Sequence, residues 1–165
     1  MSVASGVDVQ ALQDRVDIIE VLNTYSSSVD KFDKAGVRSA LADDIVGNYG
    51  NAEPVVGGDK LADWIYDATA GAGCTWQHHL VNVYHVDIDG DTAKTLSYLT
   101  SYQVFEADPD GAVILVARYH DELRRTPDGW KIAKRTMEIL WGERRAKDGF
   151  LDSIGGPGPK VWWRD

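Results

Sequence analysis

The chain of 165 residues has a single cysteine, Cys74, so no intrachain disulfide can form and no cysteine-based metal site can be assembled. Long apolar runs are missing too. No segment approaches the roughly 20 apolar residues that span a bilayer, and the start "MSVASGVDVQ" lacks the basic end and apolar run of a signal peptide. These absences fit a soluble protein of a reducing cytoplasm. Basic clusters are equally scarce: 17 lysines and arginines face 26 acidic residues, the net charge is −9, and cations gather only in pairs such as Arg124-Arg125 and Arg144-Arg145. Nucleic acid and other polyanions are therefore poor partners. No Gly-rich phosphate loop follows a strand and opens a helix, because "GGPGP" near the end lacks that context. The four histidines, His78, His79, His85 and His120, match no H-E-x-x-H or related spacing, so no metal is expected.

What is present is ordinary globular usage, 44% hydrophobic, 26% charged and 10% aromatic, enough for one domain with its own core. Leu12, Val16, Ile19 and Leu22 recur at spacings of three and four and predict an amphipathic helix over 8–32. A shorter helical pattern follows in "KAGVRSALADD", then a brief strand in "IVGNYGN", then a third helix in "GGDKLADWIYDATA" with Asp59 as N-cap. From residue 75 the texture changes to β-branched and aromatic runs, broken by "DGD" at 89–91, "DPDG" at 108–111 and "TPDG" at 126–129. Those breaks read as hairpin turns between four strands, 75–88, 92–106, 112–125 and 130–141. Helices first and an antiparallel meander after is an α+β plan, with the first helix covering one face of the sheet. The domain is read as 1–150 and the tail as 151–165, whose Trp162 and Trp163 are costly to leave in water and are expected to pack on the body or on a neighbouring subunit.

The stretch "YSSSVDKFDK" breaks the helical pattern in an informative way. Asp30 lies eleven positions after Ile19, about 20° from it around the helix, so a carboxylate falls where an apolar residue belongs. Buried, it needs a hydrogen-bond donor or a cation beside it; the alternative is that it caps the helix that follows. A partner is at hand in "TWQHHLVNV", where strand alternation sends His78 and His79 to opposite faces and so brings one of them inward in either register. A histidine held by a carboxylate is the general-base half of many proton-transfer sites. Tyr25, Tyr49, Trp64, Tyr98, Tyr102, Tyr119 and Trp141 could dress such a cavity. Tyr119 is the best placed of these, since Val113, Leu115, Ala117 and Tyr119 form an apolar face while Arg118, His120, Glu122 and Arg124 form the opposite one.

Taken in order, "YSSSVDKFD", "ALADDIVGNYG", "QHHLVNVYHVDIDGDTAKTLSYL" and "YHDELRRTPDGWKIAKRTMEILWGE" resemble the SnoaL-like branch of the nuclear-transport-factor-2-like superfamily, which includes scytalone dehydratase, bile acid 7α-dehydratase and lindane dehydrochlorinase. The resemblance covers roughly residues 8–150. It implies a curved antiparallel sheet forming a cone-shaped barrel, closed by about three N-terminal helices, and a homodimer or homotrimer built through the sheet. It also implies a catalytic dyad that matches Asp30 and His78, with the histidine as base in a cofactor-free elimination. Tyr49 falls where scytalone dehydratase has a substrate-activating tyrosine, and Tyr25 where the bile acid enzyme has an active-site tyrosine. Val29 departs from the tyrosine that precedes the scytalone dehydratase aspartate. The second histidine of that enzyme falls near Tyr102 or Gln103, and a serine falls near Ala117.

The expectation that follows is a cofactor-independent lyase acting on a small hydrophobic molecule, aromatic or polycyclic, with loss of water, halide or a small fragment such as formaldehyde. His78, Asp30 and Tyr49 are the expected catalytic residues, and Tyr25, Trp64, Tyr102, Tyr119 and Trp141 the expected substrate contacts. An isomerase or cyclase with the same dyad is the nearest rival. A ligand-binding or dioxygenase small-subunit module without chemistry is the alternative from another class.

Overall fold

The computed structural model describes residues 8–50 and 52–146; the Trp162-Trp163 expectation lies outside them. Helix α1, Val9–Asp30, opens on Asp8, whose carboxylate accepts the Ala11 N–H. Its buried stripe is Asp14, Ile18, Leu22, Tyr25 and Val29, spaced four, four, three and four. The expected stripe was out of phase: Leu12 and Val16 are exposed, and only Leu22 belongs to both readings. The displaced phase has a specific cause. Asp14 sits on the inner face because Arg125 grips it through two nitrogens, at 2.9 and 2.7 Å, and an aspartate is counted as solvent-facing in any hydropathy pattern.

Phe32, at φ 58°, turns the chain out of α1 into helix α2, Lys34–Ala40, whose cap is Asp33, accepting from the Gly36 N–H. Asp30 is therefore not a cap. The helical pattern expected as far as Asp44 stops at Ala40, where strand β1, Leu41–Tyr49, takes over and buries Leu41, Ala42 and Ile45. After the two-residue strand β2, Val55–Val56, comes helix α3, Gly58–Ala68. Its N-cap is Gly57, at φ 107°, with no side-chain cap; Asp59 instead accepts from Arg38 Nε at 2.7 Å and pins α3 to α2.

The meander follows as expected: β3 Cys74–Asp89, β4 Thr92–Phe105, β5 Asp108–Thr126 and β6 Gly129–Ala146, each antiparallel to the next. One turn lies two residues early, on Glu106 and Ala107, so that "DPDG" belongs to β5. The sheet order is β2-β1-β6-β5-β4-β3, and β1 runs parallel to β6. Two expectations are thereby corrected: the sheet is mixed rather than antiparallel throughout, and it is not closed into a barrel. Strands β2 and β3 remain as edges. The reason lies at β3, whose free edge is met by the end of α1 instead of by a strand. Asp30 accepts the backbone N–H of His79 at 3.0 Å, and the Gln77 amide donates to the Val29 carbonyl.

On the helix-covered face β4 presents Ala93, Thr95, Ser97, Leu99 and Ser101, all buried and mostly small. They leave room between sheet and helices. The main core, around Ile18, Leu22, Ile45, Leu61, Leu123 and Ile132, fills one end of that space. No helix among the described residues is long and apolar enough to cross a membrane.

Candidate active site

The other end of the layer is hollow. A cavity of about 180 Å³ lies between the C-terminal turns of α1 (Tyr25, Val29), the end of β1 (Tyr49), α3 (Trp64, Ile65, Ala68, Thr69) and the inner rows of β3 to β6 (His79, Ser101, Gln103, Leu115, Tyr119, Met137). Its volume is close to the roughly 150 Å³ of an apolar cavity that accepts benzene. The wall is mostly apolar, with a few polar groups spaced around it.

Its most polar corner is His79. The ring Nδ1 lies 2.6 Å from Asp30 Oδ1, while Asp30 Oδ2 accepts the backbone N–H of the same residue. One carboxylate thus fixes both the backbone and the ring of a single histidine. The side chains of His79 and Asp30 are only 11% and 12% exposed. With Nδ1 donating its proton to the carboxylate, Nε2 carries the lone pair and is the ring's available base. Among the described residues nothing hydrogen-bonds to it.

The histidine in this position was expected to be His78. It is on the other side of the strand, paired across the ladder with Tyr102, 54% exposed, its Nδ1 4.0 Å from Asp30. Alternation explains the correction. Gln77 points inward, its amide committed to Val29 and its Oε1 accepting from Gln103, so His79, two residues on, shares its face and His78 cannot. Hydropathy hid this because the outer face of β3 carries Trp76, Leu80 and Tyr84 and reads as apolar as the inner one.

Two tyrosines line the same cavity as His79. Tyr25 and Tyr49 hydroxyls are 2.8 Å apart, and Tyr49 leans on Trp64 with ring centroids 5.2 Å apart. Burial pushes the Tyr49 and Tyr119 phenols well above the ordinary tyrosine value, which keeps both as neutral hydrogen-bond donors at any ordinary pH. Beneath them, away from the cavity, Arg135 and Asp121 form a fully buried bidentate pair with both contacts at 2.7 Å. No group of three or more histidine, cysteine or acidic side chains converges among the described residues.

The sequence profile of the SnoaL-like domain matches residues 10–136. The chain belongs to this family. An uncharacterized protein of Mycobacterium tuberculosis strain H37Rv is 29% identical over 132 residues, covering 79% of this chain and 88% of its own. Among solved structures, hexachlorocyclohexane dehydrochlorinase LinA-type3 from Novosphingobium barchaimii superposes with a TM-score of 0.75 at 16% identity, over 84% of this chain and 94% of that one. A Novosphingobium aromaticivorans protein provisionally named a scytalone dehydratase gives 0.73 at 17%, over 83% and 93%. At such identities the likeness is one of fold, and it agrees with the resemblance read from the motifs.

Of the other expected contacts, the SnoaL-like cavity brings together Tyr25, Tyr49, Trp64 and Tyr119. Tyr102 and Trp141 are corrected: both are exposed on the outer face of the sheet, Tyr102 beside His78 and Trp141 opposite Val116. Tyr98 is also outside, stacked on Tyr84. His120 is outside, as expected, bound to Glu138 at 3.0 Å. Sequence reasoning passed over Ser101, Leu115 and Met137 as wall residues. The parity of β4 would have found Ser101, since it continues the buried series from Ala93.

Proposed function

We propose that this protein is a cofactor-independent lyase in which His79, not His78, is the general base and Asp30 its orienting carboxylate. The observation that carries the reading is the double grip of Asp30 on His79 at the wall of a small apolar cavity. Nε2 of His79 takes a proton from carbon, the electrons of that C–H bond form the new double bond, and the leaving group departs with its bonding pair. The Tyr25–Tyr49 hydroxyl pair donates a hydrogen bond to the departing oxygen or halide, or to a carbonyl that acidifies the C–H. Trp64, Leu115, Tyr119 and Met137 hold the substrate and exclude water.

The cavity volume favours a substrate of about one ring over a polycyclic one. Halogenated or hydroxylated six-membered rings are the class to screen, with halide release and new double-bond absorbance as readouts. Release by the wild type that disappears in His79→Gln supports the reading. A proton exchanged into solvent without loss of any group would favour an isomerase, which the same base and donor pair could serve; no turnover and no exchange across the panel would remove both. Self-association through the sheet is part of the proposal, supported by the exposed outer-face residues Trp76, Leu80, Tyr84, Tyr98, Tyr102 and Trp141.

A further inference from the structure

Arg135 is an unusual residue to find under a tyrosine-lined cavity. It comes from the inner row of β6, directly across the ladder from Asp121, and its side chain is 1% exposed. Nε and one terminal nitrogen are taken up by Asp121, but the other, Nη1, has no hydrogen-bond partner among the described residues. The guanidinium carbon lies 4.1 Å from the ring centre of Tyr25 and 3.9 Å from that of Tyr119. Those two rings meet edge to face, 6.3 Å apart and 85° to each other, so the cation lies within stacking distance of both. Tyr25 in turn shares a hydrogen bond with Tyr49. A fixed positive charge, dry and held against the phenol rings, is thus connected to the hydroxyls that face the cavity without itself lining it.

We propose that Arg135 is a positioning residue that makes the Tyr25–Tyr49 hydroxyl pair a binding site for an oxyanion. This deepens the lyase reading and rests on it for its role in turnover. Negative charge developing on a ligand oxygen is passed in part to the phenols that donate to it, and a cation against the ring stabilises that charge most where water is excluded. Asp121 has the opposite part. It keeps the guanidinium charged in a buried place and holds its plane fixed, at the cost of weakening its field. The preferred ligand is then a one-ring molecule bearing an enolate- or phenolate-like oxygen, rather than a hydrocarbon or halocarbon alone.

The probe is para-nitrophenol, a one-ring ligand whose neutral and ionised forms have distinct absorption spectra. Binding is measured by titration in the wild type, in the double variant Arg135→Met with Asp121→Leu, and in His78→Gln. The double variant replaces the buried pair by apolar residues of similar volume, a change that folds tolerate. The wild type is expected to prefer the phenolate, and the folded double variant to lose roughly tenfold of that preference while still binding the neutral phenol. His78→Gln, on the outer face, is expected to keep the preference, and because binding is read without turnover, failure of the base assignment would leave this result standing. An unchanged preference in the folded double variant, or no preference in the wild type, overturns the proposal. Should the double variant not fold, nitrogen NMR of the wild-type Arg135 guanidinium decides: a resonance shift on binding phenolate but not on binding neutral phenol supports it, and no shift overturns it.

Discussion

Asp30 uses its two oxygens on two different groups of His79, and that division of labour makes distinct predictions for its substitution. Asp30→Asn can still accept the backbone N–H through its amide oxygen, while the other oxygen, which received the ring proton, becomes an NH₂ group. The histidine should then turn its lone pair at Nδ1 toward the amide and lose Nε2 as base. Turnover is expected to fall about 10²- to 10⁴-fold, the usual contribution of a general base, with the thermal midpoint moved by only a few degrees. Imidazole nitrogen NMR checks the tautomer directly: Nδ1–H in the wild type, Nε2–H in the variant. Tyr49→Phe removes one member of the hydroxyl pair and is expected to lower kcat by about 10²-fold, the loss of one oxyanion donor, with binding of a neutral ring changed little. Equal kcat in the two proteins would remove Tyr49 from the chemistry.

Elements were more legible in the sequence than the faces they present. The meander could be read because two of its three turns carry Asp-Gly pairs, the third having one close by in β5, and its strands are β-branched; local chemistry of that kind survives any tertiary arrangement. The faces of α1 and β3 could not, because each is set by partners distant in the chain. Asp14 is buried only because Arg125, on β5, reaches it. His79 is inward only because Gln77 finds the end of α1. Asp30 was legible as a carboxylate interrupting an apolar pattern, but the stripe that flagged it was out of phase; what shields Asp30 is its place at the end of α1 against the edge of β3. The openness of the sheet was hidden for the same reason as the histidine: an edge capped by a helix end leaves no mark in the strand itself. Cross-strand chemistry also predicts the stability of the β5–β6 pair. Arg135→Met alone leaves Asp121 charged and unpaired in a fully buried site, and should cost about 3 to 5 kcal/mol in urea unfolding. A loss under about 1 kcal/mol would mean that the pair is not dry.

For the whole molecule, the Asp14–Arg125 contact joins the start of α1 to the far end of β5, and it sets a pH dependence. Arg125 holds the Asp14 carboxyl down, at about 2, against about 3.9 in an unfolded chain. The depressed value means that the contact contributes fully above pH 4 or so and is lost as pH falls from there toward 2. The thermal midpoint should drop through that window, and Asp14→Asn should flatten this part of the profile; parallel profiles would assign acid lability elsewhere. Assembly is tested on the opposite side of the sheet. Leu80→Glu with Tyr102→Glu places two charges on the exposed outer face and should shift sedimentation to a monomer without emptying the cavity. The central claim is that this small cavity with His79 at its wall acts as a base toward carbon. The most direct measurement is ring opening of nitrobenzisoxazole, which needs only a positioned base to remove one C–H proton and releases a coloured phenolate. The account predicts a wild-type rate above the solution background, abolished in His79→Gln and retained within about twofold in His78→Gln. A wild type at background, or a rate lost with His78 and kept without His79, would contradict it.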